Sequence, residues 1–173
     1  MTATQWELSS SDGDLLVTTG VTGPAAGMGH RLTIAMTSWH ATVSWTDGEP
    51  TAVDLTVDVD SLEVQRGEGG VKGLSGAEKS MARSNALKSL DAKRFPTIRF
   101  RADDISAIDG GYRLTGTLEI HGRTRDRSVD LRTEDLGETW RMSCESVVSH
   151  ADFGVKPYSM MMGAMKVADD VTV

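Results

Sequence analysis

Apolar side chains recur at every second position along most of this chain, in segments that end on Gly, Asp, Asn or Ser. That period belongs to strands with one wet face, and it leaves little room for helix. The alternation predicts strands at 14–19, 31–36, 39–45, 51–59, 97–105, 112–119, 127–132, 139–148 and 166–173. Between them, Thr46-Asp47-Gly48-Glu49 and Ile108-Asp109-Gly110-Gly111 supply the Asp-Gly pairs that tight hairpins demand. Eight or nine antiparallel strands follow. A long meander must deal with its edges, and closing the sheet on itself removes them, so the expected fold is all-β with one main helix: an extended eight-stranded antiparallel barrel.

The exception to period two is 74–90, where Leu74, Ala77, Met81, Leu87 and Leu90 recur near helical spacing. Ser75 with Glu78 three residues later has the form of a capping box, and Pro96 returns the chain to extended geometry. From 66 to 101 there are nine basic and three acidic residues, in a chain whose net charge is -7. The helix region is therefore a local cationic surface, or simply a solvated face. At 173 residues, 39% hydrophobic and 25% charged, the chain is expected to fold as a single domain over 1–173 with the helix inserted between strands. The acidic balance excludes a general nucleic-acid binder.

Catalytic and metal signatures are sparse. His30, His40, His121 and His150 are scattered singly, with no pair at i, i+2 or i, i+4 that would aim two imidazoles at one metal. Gly67-Glu68-Gly69-Gly70 does not lead into a phosphate-binding Lys-Ser or Lys-Thr pair. No cofactor and no metal are expected. Cys144, the one cysteine, reads as an inert strand thiol. The opening residues lack a basic and apolar leader pattern and no apolar run reaches the roughly 18 residues of a membrane span. A cytoplasmic protein is the expectation.

Three stretches resemble the YceI-like family of lipid- or polyisoprenoid-binding, lipocalin-like barrels. They are Leu87-Lys88-Ser89-Leu90-Asp91-Ala92-Lys93-Arg94-Phe95-Pro96-Thr97-Ile98-Arg99-Phe100, then Leu114-Thr115-Gly116-Thr117-Leu118-Glu119-Ile120-His121-Gly122-Arg123-Thr124-Arg125, and finally Asp152-Phe153-Gly154-Val155 with 163–171. The resemblance covers the second half of the chain, from Leu87 onward; the first half shares its strand rhythm and His30. It implies a noncatalytic carrier that holds a long isoprenoid chain, a quinone tail or a polyprenyl phosphate, in the barrel. It also implies homodimerisation, and a lipid cargo implies peripheral contact with a membrane.

Apolar parity nominates the inward residues that would line the tail: Leu32, Ile34 and Met36; Leu55 and Val57; Ile98 and Phe100; Leu114, Leu118 and Ile120. Phe153, Tyr158, Met160 and Met162 are candidate gates beside the mouth, with Met161 and Met165 completing a soft, methionine-rich segment. Lys79, Arg83, Lys88 and Arg94 are the candidate head-group cations. Two alternatives share the same residues. One is an enzyme on a small hydrophobic substrate with His121, Glu119 or His30 as acid/base; the other is a filled barrel acting as a protein-interaction module.

Overall fold

The alternating segments become strands at nearly every place where the period is clear. The structure, a computed structural model, describes residues 3–70, 73–160, 162 and 165–173. In chain order its strands are β1 (Ala3–Ser9), β2 (Leu16–Thr18), β3 (Val21–Thr22), β4 (Arg31–Met36), β5 (Trp39–Thr46), β6 (Glu49–Asp58), β7 (Leu62–Glu68), β8 (Thr97–Ile108), β9 (Gly111–Ile120), β10 (Arg123–Asp135), β11 (Trp140–Ser143), β12 (Val147–Ser149), β13 (Ser159–Met160), β14 (Met165–Val167) and β15 (Asp170–Thr172). The helix α1 (Gly76–Ser89) lies between β7 and β8.

These strands pair into three antiparallel sheets: seven strands in the order β1-β5-β6-β8-β9-β10-β11, five in the order β12-β15-β2-β4-β7, and three in the order β13-β14-β3. An eight-stranded closed barrel is not found among the described residues. The long ladder ends on β1 at one edge and β11 at the other, leaving a curled half-barrel. The reason lies in two expected strands that break. Segment 139–148 splits around the exposed Cys144 into β11 and β12, and 166–173 splits into β14 and β15, the pieces of each joining different sheets. The second break is held by Asp169, whose carboxylate accepts from the Ser149 hydroxyl at 2.5 Å and from the Ala151 amide at 2.9 Å.

Local sequence explains the long strands. Asp47-Gly48 and His121-Gly122 both take positive φ (53° and 81°, 55° and 72°) and close two-residue hairpins, Thr46 facing Glu49 and Ile120 facing Arg123. That mirror-image turn matches the twist of the strands it joins. In β8 the register shifts between Ala102 and Asp104, which moves the inward parity from Ile98, Phe100 and Ala102 to Ile105. Opposite the shift, Gly116 pairs with Ala102, and a Cβ there would overlap the Arg101 carbonyl, so no larger residue fits.

The seven- and five-stranded sheets meet at corners. The chain passes from β4 to β5 through Thr37-Ser38, where the Ser38 hydroxyl donates to Asp58 Oδ2 at 2.6 Å, and the Val59 amide donates to the Pro96 carbonyl at 2.9 Å. Facing across this corner, Ile34, Met36, Leu62 and Val64 of the smaller sheet pack on Val57 of the larger one. The helix begins on the expected capping box, Ser75 and Glu78 each accepting the other's amide. It lays Ala82, Ala86 and Leu87 on the same cluster.

Candidate functional site

Cross-strand registers define the concave face of the seven-stranded sheet. Val53, Leu55 and Val57 of β6 stand beside Ala102, Phe100 and Ile98 of β8; Phe100 faces Leu118 and Ile105 faces Leu114 on β9. On β10, Leu131 faces Tyr112, Val129 faces Leu114, Arg127 faces Gly116, Arg125 faces Leu118 and Arg123 faces Ile120. Directly opposed residues share a face, so all of these point the same way. From Tyr112 to Ile120 this face runs about 27 Å along β9.

All ten strand residues nominated for the tail lie in the apolar interior, in three clusters. Ile34, Met36 and Val57 are buried, with Leu32, Leu55 and Ile98 packed against them. Phe100 and Leu114 are buried with Ala102, and Leu55 and Leu118 pack there too. Leu118 and Ile120 also touch Val148, Phe153 and Val155. Leu55 and Leu118 thus join the three clusters into one surface.

The middle cluster differs from the others in what surrounds it. Phe100, Ala102 and Leu114 pack with Val53, Leu55, Ile105, Tyr112, Leu118, Val129 and Leu131, and every one of these belongs to the seven-stranded sheet. Among the described residues, neither the smaller sheets nor the helix adds a buried or half-buried apolar side chain to it. The result is an apolar trough with one wall. Trp6 and Trp45 extend its far end from β1 and β5, their ring centroids 4.6 Å apart, and the indole N–H of Trp45, like that of Trp39, is buried without an acceptor among the described residues. One cavity of about 670 Å³ lies at the Asp47-Gly48 hairpin beside Asp103, Asp104 and Ile105, the last of these also a trough residue, and one of about 410 Å³ lies between β1 and β5; neither is lined by a nominated tail residue.

The nominated gates separate. Phe153, at 1% exposure, is not at a rim: it is core, held between Leu118, Ile120 and the C-terminal strand residues. Tyr158, Met160 and Met162 are exposed, Met160 pairing with Met165 across β13 and β14. Met161, Gly163 and Ala164 lie outside the described residues. The nominated head-group cations are not gathered around the trough. Arg83 is occupied in tying α1 down, donating from Nε to the Leu62 carbonyl at 2.8 Å and from a terminal nitrogen to the Asp60 carbonyl at 2.6 Å. Arg94 pairs with Asp91 at 3.6 Å and lies over the Phe95 ring. Lys79 is half-buried on α1 and Lys88 is exposed in its last turn.

The acid/base candidates diverge as well. Glu119 stands on the convex face, accepting from Thr124 at 3.4 Å, while His121 occupies the hairpin turn with its ring edge-on to Phe95 at 4.9 Å. No helix among the described residues is long and apolar enough to cross a membrane.

Sequence reasoning omitted Val53, Ile105, Tyr112, Val129 and Leu131 from the trough, and the arginines that continue it on β10. The signal was present for these. A two-residue loop at His121-Gly122 forces Arg123 opposite Ile120, and from there parity places Arg125, Arg127, Val129 and Leu131 on the inner face.

The YceI-like domain family model matches residues 12–173. Among solved structures, BcnA of Burkholderia cenocepacia is similar over 91% of both chains, with a TM-score of 0.65 and 18% identity. The YceI protein of Campylobacter jejuni is similar over 81% of this chain and 79% of that one, with a TM-score of 0.59 and 16% identity. At such identities the likeness is one of fold. No curated protein matches the sequence.

Proposed function

This chain belongs to the YceI-like family, and from that premise we propose that it is a noncatalytic carrier of an elongated apolar lipid, an isoprenoid-type chain laid along the concave face of the seven-stranded sheet. One observation carries the reading. The cluster around Phe100, Ala102 and Leu114 is walled by a single sheet, so its outer apolar residues have one side available to a ligand. A hydrocarbon lying there loses water from its own surface and from Ile105, Tyr112, Val129 and Leu131 together. At about 0.8 kcal/mol per buried methylene, a few prenyl units suffice for binding without any reaction chemistry.

The length of the trough favours an extended chain over a compact ligand. Its walls are strands, which hold their side chains in fixed rows, so selection by length and branching is built into the scaffold. The test is organic extraction of freshly purified protein followed by mass spectrometry. A stoichiometric isoprenoid or quinone is expected. An empty extract, together with no change in tryptophan fluorescence when prenyl alcohols are added, overturns the carrier reading.

A further inference from the structure

The small sheet β13-β14-β3 and the 3-10 turn beside it carry methionines where the rest of the fold carries core. Met28, at the end of the 3-10 turn Ala26–Met28, and Met160 of β13 are 54% and 44% exposed. An unbranched apolar side chain gains nothing from such contact with water, so packing does not account for them.

Pairing between distant segments brings three thioethers together. Met160 stands directly opposite Met165 of β14, so both side chains leave the sheet on one face, with Cβ atoms about 5 Å apart. Val167 of β14 and Val21, opposite it on β3, share that face. Gly29 lies over it, so close that an added Cβ would come within 2.8 Å of both Met165 Sδ and Val21 Cγ1. The Met165 sulfur is therefore seated against a backbone that has no side chain to push it away. Met28 is one residue from that seat, and Met160 is across the strand pair. Lys166 alternates to the opposite face, so its charge points away from the sulfurs.

A thioether is a neutral, soft donor with no proton to lose. It is a weak ligand for magnesium or calcium and selects monovalent copper. Among the described residues no three histidine, cysteine or carboxylate side chains are grouped to hold a metal, so harder ions find no competing seat of their own. The sequence expectation of no metal rested on imidazole spacing, which says nothing about sulfur. A net charge of -7 favours a cation over an anion at the surface. The geometry points to a soft-metal site in which Met28, Met160 and Met165 hold one Cu(I) ion on the small sheet. None of the three belongs to the apolar clusters of the trough, so the site stands or falls independently of the carrier reading.

The test is anaerobic titration of the full chain with Cu(I) kept reduced by ascorbate, with bicinchoninate as competing chelator. About one equivalent is expected to pass from the chelator to the protein. With isotopically labelled methionine methyl groups, the Met28, Met160 and Met165 resonances should move together as Ag(I), a redox-silent substitute, is added, while Met81, exposed on α1, stays in place. Met28→Leu and Met160→Leu preserve apolar volume, and each should weaken Cu(I) binding about tenfold; Met81→Leu should not. Gly29→Ala retains every sulfur but displaces that of Met165, and should weaken binding about threefold to tenfold with the circular dichroism spectrum unchanged. No transfer of Cu(I) to the unaltered protein overturns the site, and so does equal affinity in Met28→Leu, Met160→Leu and the unaltered chain. Uptake of several ions, reduced as much by Met81→Leu as by Met160→Leu, overturns it in favour of scattered binding by exposed thioethers.

Discussion

Ile34 and Leu114 are buried almost equally, at 5% and 6% exposure, by different means. Ile34 lies between two sheets and a helix, with Val57, Leu62, Ala86 and Ile98 around it from several directions. Leu114 is covered by its neighbours within one curled sheet, and its cluster grades outward into half-buried Ile105, Tyr112, Val129 and Leu131. The first arrangement is a packed core, in which lost atoms leave a void. The second is a wall, and its outer members keep a side that no buried apolar neighbour from another sheet covers.

That contrast is sharpest in substitutions. Phe153→Ala, at the closed end, should lower unfolding free energy by about 3–5 kcal/mol in a urea titration, since the surrounding strands cannot collapse into the space. A loss under about 1 kcal/mol would mean that the closed end is as open as the trough. Gly116→Ala tests the seam beneath both regions. The new Cβ meets the Arg101 carbonyl, and a destabilisation of about 1–3 kcal/mol is expected; an unchanged denaturation midpoint would show that the bulge at Ala102 and Asp104 relaxes without cost.

Leu131→Ala, in the trough, should alter stability by about 1 kcal/mol or less and weaken binding of a prenyl alcohol roughly threefold to tenfold. The reverse ranking, large for folding and absent for binding, would convert the trough into core. The smallest effect belongs to the convex face. The bidentate hydrogen bond from Arg99 holds the Asp54 carboxyl below its usual range, helped by the charges of Arg99, Arg101 and His40 against the opposing effect of burial. A depressed folded-state pKa stabilises the fold above the unfolded value near pH 4, and the contribution is lost as pH falls through the folded value. Asp54→Asn should therefore lower stability at pH 7 by a few tenths of a kcal/mol, up to about 1 because the pair is partly exposed. The gap from the unaltered protein should close in acid; a constant gap down to pH 2 would assign the effect to packing.

Much of the architecture was legible because the relevant signals are local. The parity of β4, β6, β8 and β9 appears in the order of apolar and polar residues, and the capping box of α1 is four residues long. β1 and β7 were missed although Trp6 and Leu8, and then Leu62 and Val64, alternate with polar Gln5, Glu7, Glu63 and Gln65; two large apolar residues in each make too short a run to stand out. The gate role for Phe153 failed for a different reason. Its burial depends on Leu118 and Ile120, more than thirty residues earlier in the sequence, and a Gly-flanked aromatic near a chain end carries no mark of that.

By itself, the sequence determined the class of fold, the apolar parity of β4, β6 and β9 and of β8 up to Ala102, and the turn at Asp47-Gly48. Each follows from backbone preference and period within about ten residues, whereas the family was read from a resemblance of motifs spread over the second half of the chain. Tertiary structure alone decided that 139–148 and 166–173 would break between sheets, that the long ladder would stay open, and that Met28 would be brought to Met160 and Met165 at the small sheet. Those outcomes depend on which distant segments compete for the same edge, and pairing between distant strands is settled by the geometry of the whole chain rather than by any window of it.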